Sequence, residues 1–79
     1  MAVAIVVPPL GLEGQPLQVS LWFVDVGQEV LAGDRLVEVM LPGMTFDISA
    51  TCNGTLAAID VREGALIAEG ETLGRIHPA

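Results

Sequence analysis

Gly27-Gln28-Glu29-Val30-Leu31-Ala32-Gly33-Asp34-Arg35-Leu36-Val37-Glu38-Val39 returns thirty-seven residues later as Gly64-Ala65-Leu66-Ile67-Ala68-Glu69-Gly70-Glu71-Thr72-Leu73-Gly74-Arg75-Ile76. Six of the thirteen positions agree in type: Gly, Val/Ile, Gly, Asp/Glu, Leu and Val/Ile. Each copy offers a Gly able to take positive φ after a strand, a short hydrophobic stretch, and a second Gly followed by an acidic residue that turns the chain into another strand. Two copies are too few for a solenoid, which needs three or more repeats to bury its faces. The economical arrangement is two similar β-units closing on one another with quasi-twofold symmetry. The 79 residues then form one domain, 1–79, with half-repeats at about 3–40 and 41–79.

Working outward, Val3 to Val7 reads as a strand ended by Pro8-Pro9, neither of which can donate to a ladder. Residues 10 to 16, with Gly11, Gly14 and Pro16, read as loop. Leu17 to Val24 is the next strand, and its alternation puts Leu17, Val19, Leu21 and Phe23 on one face and Trp22 on the other. Val30-Leu31 is a short strand. Leu36 to Met40 and Met44 to Ser49 flank a tight turn, Thr55 to Ile59 and Leu66-Ile67 follow by the repeat, and Thr72 to His77 closes the chain. No ten-residue stretch holds a helical amphipathic period free of Gly or Pro, so little or no helix is expected. The predicted fold is all-β, a flattened barrel or sandwich of two small antiparallel sheets.

Composition narrows the function. The chain is 52 % apolar with only Trp22, Phe23 and Phe46 aromatic, so the core is built from Val, Ile, Leu and Ala, which favours strands. Ten acidic residues face Arg35, Arg62 and Arg75, a net charge of −7 that repels nucleic acid and anionic membrane surfaces and suits a basic groove on a partner protein. The apolar run from Ala2 to Val7 is too short to span a bilayer and has no basic residue before it. A cytoplasmic protein without membrane insertion is expected, a monomer by charge, and the single Cys52 fits a reducing compartment.

The chemistry of an enzyme is thinly represented. One Cys, one His and scattered carboxylates are too few for a zinc site, so no metal is expected. Cys52 and His77 would need an orienting third group and an oxyanion site to act together, so no catalytic residue is assigned. Cys52 is expected half-buried or in a loop before the Asn53-Gly54 turn, and His77 in a frayed C-terminus. Asp34 and Glu71 follow Gly33 and Gly70 at equivalent places, where a carboxylate accepts backbone N–H bonds. In Leu41-Pro42-Gly43-Met44, Pro at the second position presets φ and Gly at the third supplies the positive φ of a type II turn, which makes the corner rigid.

These segments in this order resemble the lipoyl and biotinyl carrier domain family, and more closely its lipoyl branch, over essentially the whole chain. Val7-Pro8-Pro9-Leu10-Gly11 is similar to the family's opening motif of Pro, a variable residue and Leu-Gly. Val26-Gly27-Gln28-Glu29-Val30 with Ala32-Gly33-Asp34-Arg35-Leu36 resembles its Gly-Asp-x-Val and Ala-Gly-Asp-x-Leu segment. Glu38-Val39 and Thr45-Phe46-Asp47-Ile48 match the two arms of its exposed hairpin, while Gly54, Glu63-Gly64 and Gly70-Glu71-Thr72-Leu73 match its second half.

The departure falls at the hairpin tip. The resemblance implies an acidic-Lys-small or Met-Lys-Met tip whose lysine carries lipoate or biotin as an amide. Here the tip is Pro42, Gly43 and Met44, and the chain holds no lysine. Gly43 occupies the expected lysine position, so no cofactor is expected. What the resemblance then implies is a non-catalytic binding or assembly module for a 2-oxo acid dehydrogenase-type or carboxylase-type system, with a protein partner that handles carrier domains. The alternative is a spacer in a membrane-fusion or efflux adaptor, whose relatives usually carry a helical hairpin at the tip. The partner-contact set is Glu38, Met40, Leu41, Pro42, Gly43, Met44 and Asp47; the two carboxylates are either part of that surface or a solvated edge, and Met40, Leu41 and Met44 either line it or tuck back onto the sheet.

Overall fold

The computed structural model describes residues 1–79 as eight strands without a helix. They are β1 (Val3–Val6), β2 (Leu17–Trp22), β3 (Glu29–Val30), β4 (Arg35–Leu41), β5 (Met44–Ser49), β6 (Gly54–Ile59), β7 (Leu66–Ile67) and β8 (Thr72–Pro78). Two four-stranded antiparallel sheets result, ordered β1-β8-β6-β3 and β5-β4-β2-β7, so each sheet draws strands from both half-repeats. Between them lies one core of sixteen apolar residues, in which Leu36, Leu56, Leu73 and Ile76 are fully enclosed. Branched aliphatic side chains fill a two-layer interior of this depth from both inner faces.

The repeat is spatial as well as sequential. Shifting β2, β3 and β4 by thirty-seven residues lands on β6, β7 and β8 with the same ends. The hydrogen bonds that stitch the sheets recur by the same symmetry, with a shift of thirty-seven residues everywhere except between Val7 and Ala50, which are six residues further apart because of the longer loop that follows Val7. Gly27 N–H donates to the Leu56 carbonyl and Gly64 N–H to that of Val19, both at 2.8 Å. Gly33 N–H donates to Ala50 O and Gly70 N–H to Val7 O, again both at 2.8 Å. Asp34 and Glu71 hold the expected turns: Asp34 Oδ2 accepts from Leu31 N–H at 2.9 Å and Glu71 Oε1 from Ala68 N–H at 3.0 Å.

Three local expectations differ from the structure. The alternation read through β2 breaks because the pairing with β4 shifts register between Val19 and Leu21, a bulge at Ser20. One extra residue moves everything beyond it to the other face. Leu17 and Val19 therefore point inward, Leu21 is 45 % exposed, and Trp22 is buried with its Nε1–H donated to Val61 O at 2.8 Å. The mate of this bulge lies at Ala57. Leu31 falls outside β3 and is exposed. The C-terminus is tied down rather than frayed: β8 runs to Pro78, and Ala79 N–H donates to Asn53 O at 3.0 Å.

β1 pairs with β8 through Val3 opposite Ile76, as β5 pairs with β4 through Phe46 opposite Val39. The two chain ends thus emerge side by side, like the arms of a hairpin without its turn.

Candidate functional site

The β4–β5 hairpin is regularly paired from Val37 to its tip. Its register runs Glu38 opposite Asp47, Val39 opposite Phe46, Met40 opposite Thr45 and Leu41 opposite Met44. Pro42 and Gly43 alone form the loop, and Gly43 has φ of 81°, the left-handed value of the third position of a type II turn. The corner needs no ligand to order it. Open space surrounds the place where a Gly43 Cβ would sit, so a side chain there meets strain in φ and no clash.

Period-two alternation decides which hairpin residues are available. Val37, Val39 and Leu41 point into the core, and Leu41 is only 5 % exposed. Leu41 therefore leaves the expected contact set: it tucks back onto the sheet and anchors the tip from below. Met40 and Met44 are exposed at 38 % and 59 %, Pro42, Gly43 and Asp47 are exposed, and Glu38 is half-buried. Two carboxylates directly opposite repel one another. Arg35 offsets this by pairing with Asp47 at 3.3 Å while its guanidinium lies 4.5 Å from the Phe23 ring centre. The β4–β5 pairing that places Arg35 opposite Ser49 brings it within reach of Asp47.

A second segment frames the tip. The ten-residue loop 7–16 between β1 and β2 is six residues longer than its mate, 50–53, between β5 and β6. Glu69 holds it: its carboxylate accepts Leu10 N–H at 2.7 Å and Leu12 N–H at 3.1 Å. Those bonds, Leu10 first and then Leu12, keep the Glu69 carboxyl below the usual glutamate range. Glu63 is lowered likewise, first by its own backbone N–H and then by that of Trp22, whose bond measures 3.1 Å. The loop ends at Pro16, which lines a cleft of about 310 Å³ with Gln18, Met40, Leu41, Pro42 and Gly43. Neither Pro16, Gln18 nor Glu69 was marked by sequence reasoning; the Gln18–Met40 pairing that joins them to the tip exists only in the folded register.

The tip can present apolar contact and carboxylates; it has no amine for an amide link and no ligand cluster for a metal. No three His, Cys, Asp or Glu side chains come together to hold an ion. Cys52 is half-buried against the core and His77 stands exposed on β8, and neither makes a side-chain hydrogen bond, so no nucleophile–base pair forms.

Comparison with known proteins agrees with the two-sheet fold. A biotin/lipoyl family model, described as "Biotin-requiring enzyme", matches residues 3–76. The dihydrolipoyllysine-residue succinyltransferase component of the 2-oxoglutarate dehydrogenase complex of Rickettsia conorii is 35 % identical over 77 residues, which is 98 % of this chain and 20 % of that protein. The dihydrolipoyllysine-residue acetyltransferase component of the acetoin cleaving system of Bacillus subtilis is 33 % identical over 79 residues, 100 % of this chain and 20 % of the relative. The chain spans about a fifth of the length of these curated relatives. In fold it is similar to the lipoyl domain of the 2-oxoglutarate dehydrogenase complex from Azotobacter vinelandii, with a TM-score of 0.71 at 21 % identity, covering 98 % of this chain and 95 % of that domain.

Proposed function

From the fact that this chain belongs to the biotin/lipoyl carrier-domain family, we propose that it is an unmodified member serving as a non-catalytic binding or assembly module in a 2-oxo acid dehydrogenase-type or carboxylase-type system. The observation that carries the reading is a hairpin kept rigid by Pro42-Gly43 while the chain supplies no lysine to load. An amide to lipoate or biotin needs a primary side-chain amine, and the hydroxyl of Thr45 beside the tip is not one. What the hairpin retains is a surface: Met40, Pro42, Gly43 and Met44 flanked by Glu38 and Asp47, anchored by buried Leu41. The relatives that are components of acyltransferase systems support a partner that handles carrier domains. The spacer role in an adaptor assembly has no feature in its favour, since a two-residue turn stands where a helical insertion is usual.

Co-expression with a lipoate ligase and a biotin ligase tests this by intact mass. The expected product is the unmodified chain, and a lipoyl-sized or biotinyl-sized increment would falsify the reading. The variant Gly43→Lys restores an amine in open space at a backbone cost of about 1 kcal/mol. Its modification beside an unmodified parent is the expected outcome if the scaffold remains recognisable.

A further inference from the structure

The quasi-twofold axis provides an internal comparison: two outer sheet faces share one backbone, and their side chains differ. On the β5-β4-β2-β7 sheet, Leu66, Gln18, Met40 and Thr45 form one lateral row, and Leu21 lies in the next row opposite Glu38. Leu66 is 73 % exposed. The symmetry-related row on the other sheet is Glu29, Thr55 and His77, with Ala58 at the place of Leu21 and Arg75 at that of Glu38. The fold is therefore satisfied by small or polar residues at these positions. Leu21, Met40 and Leu66 are apolar for a reason the core does not supply.

This apolar face does not stand alone. Two clefts meet on it at Pro16: the one beside the tip, and another of about 490 Å³ lined by Leu12, Pro16, Leu17, Leu66 and Ile67 among others. Glu69 pins the long loop that forms its far wall. Carboxylates accompany the face: Glu38 stands on it beside Leu21, Asp47 lies opposite on edge strand β5, Glu69 lines the larger cleft and Glu63 holds Trp22 N–H, against Arg35, already paired with Asp47, and Arg62. With a net charge of −7 on the whole chain, the complementary occupant is basic.

We infer that the outer face of the β5-β4-β2-β7 sheet, from Leu66 across Gln18 to Met40, docks a partner protein through an apolar ridge flanked by Lys or Arg. The inference rests on the reading of the chain as a binding module and extends its contact surface from the hairpin tip across the sheet. A second copy of this chain fits poorly, because it brings the same acidic border.

The test places a photo-cross-linking residue at Gln18 and, on the other sheet, at its mate Thr55, in the full chain expressed in its native cells. The captured protein is then purified and titrated against the unlabelled chain and against the triple variant Leu21→Ala, Met40→His, Leu66→Glu, which copies the other face onto this one. We expect capture from position 18 and not 55, attachment within an apolar segment flanked by Lys or Arg, affinity reduced about tenfold or more by the triple variant, and weaker binding as salt is raised. Because the three side chains lie outside the core, an unchanged melting temperature verifies that the variant is folded. Equal capture at both positions, capture only of a second copy or of lipid, no capture, or a triple variant that binds like the parent would each overturn the inference. The outcome is separable from the function proposed above: a variant insensitive on the sheet but sensitive at Met44 leaves that function standing, whereas an intact-mass increment removes it without altering the cross-link.

Discussion

At the residue scale, Leu41 and Met44 face each other across the same turn and differ in what they hold together. Leu41 is enclosed by the core and Met44 is open to solvent. Replacing Leu41 by Ser should cost about 3 kcal/mol, since it leaves a cavity and buries a hydroxyl. Met44→Ser should stay within about 0.5 kcal/mol. Denaturant titration of the two variants checks both, and equal losses would contradict the placement of Leu41. Gly74 gives a second case: a Cβ there would sit 2.5 Å from the Ala58 carbonyl oxygen and 3.1 Å from the Trp22 ring. Because the nearer obstacle is backbone, Gly74→Ala should destabilise by about 2 kcal/mol or more, read by thermal melting. Leu41 was legible in principle. Val37-x-Val39-x-Leu41 continues one inward face, and only its position next to the tip suggested exposure.

At the element scale, the Glu69 clasp makes the long loop sensitive to acid. The folded carboxyl titrates below its ordinary value of 4.5, so its contribution is complete above that value and is lost as pH falls through the lower folded one. Glu69→Gln should therefore melt at a lower temperature than the parent at pH 7, and the gap should narrow as pH falls below 4.5 and close below the lower folded value. A pH series of melting curves decides it, and a gap independent of pH would sink the clasp. The strands themselves were readable because branched residues alternate between Gly and Pro breaks. The bulge at Ser20 was not, since a serine in mid-strand carries no sign that it is unpaired; only the partner strand's count of residues reveals it. Uninterrupted alternation therefore puts Trp22 on the wrong face. The candidate tip was legible because Pro-Gly names its own turn, while Gln18, Pro16 and Glu69 reach it by pairings between segments distant in sequence.

At the scale of the whole molecule, symmetry explains why so few signals were enough. A thirty-seven-residue shift carries the ends of β2, β3 and β4, the Gly27–Leu56 sheet-bridging bond and even the bulge onto the second half, so each half-repeat checks the other. The departures from symmetry, by contrast, mark what folding alone does not require: the longer loop 7–16, the exposed Leu21, Met40 and Leu66 on one sheet face and the Pro-Gly corner. The adjacent ends beside Val3 and Ile76 occupy the place that this corner takes in the other half. A permuted chain, cut between Pro42 and Gly43 and rejoined by a short linker from Ala79 to Met1, should fold to the same β-rich structure, judged by circular dichroism and a cooperative melt. In engineering terms the unit is a cassette with both leads on one side, suited to splicing into a surface loop of a host without prising that loop apart.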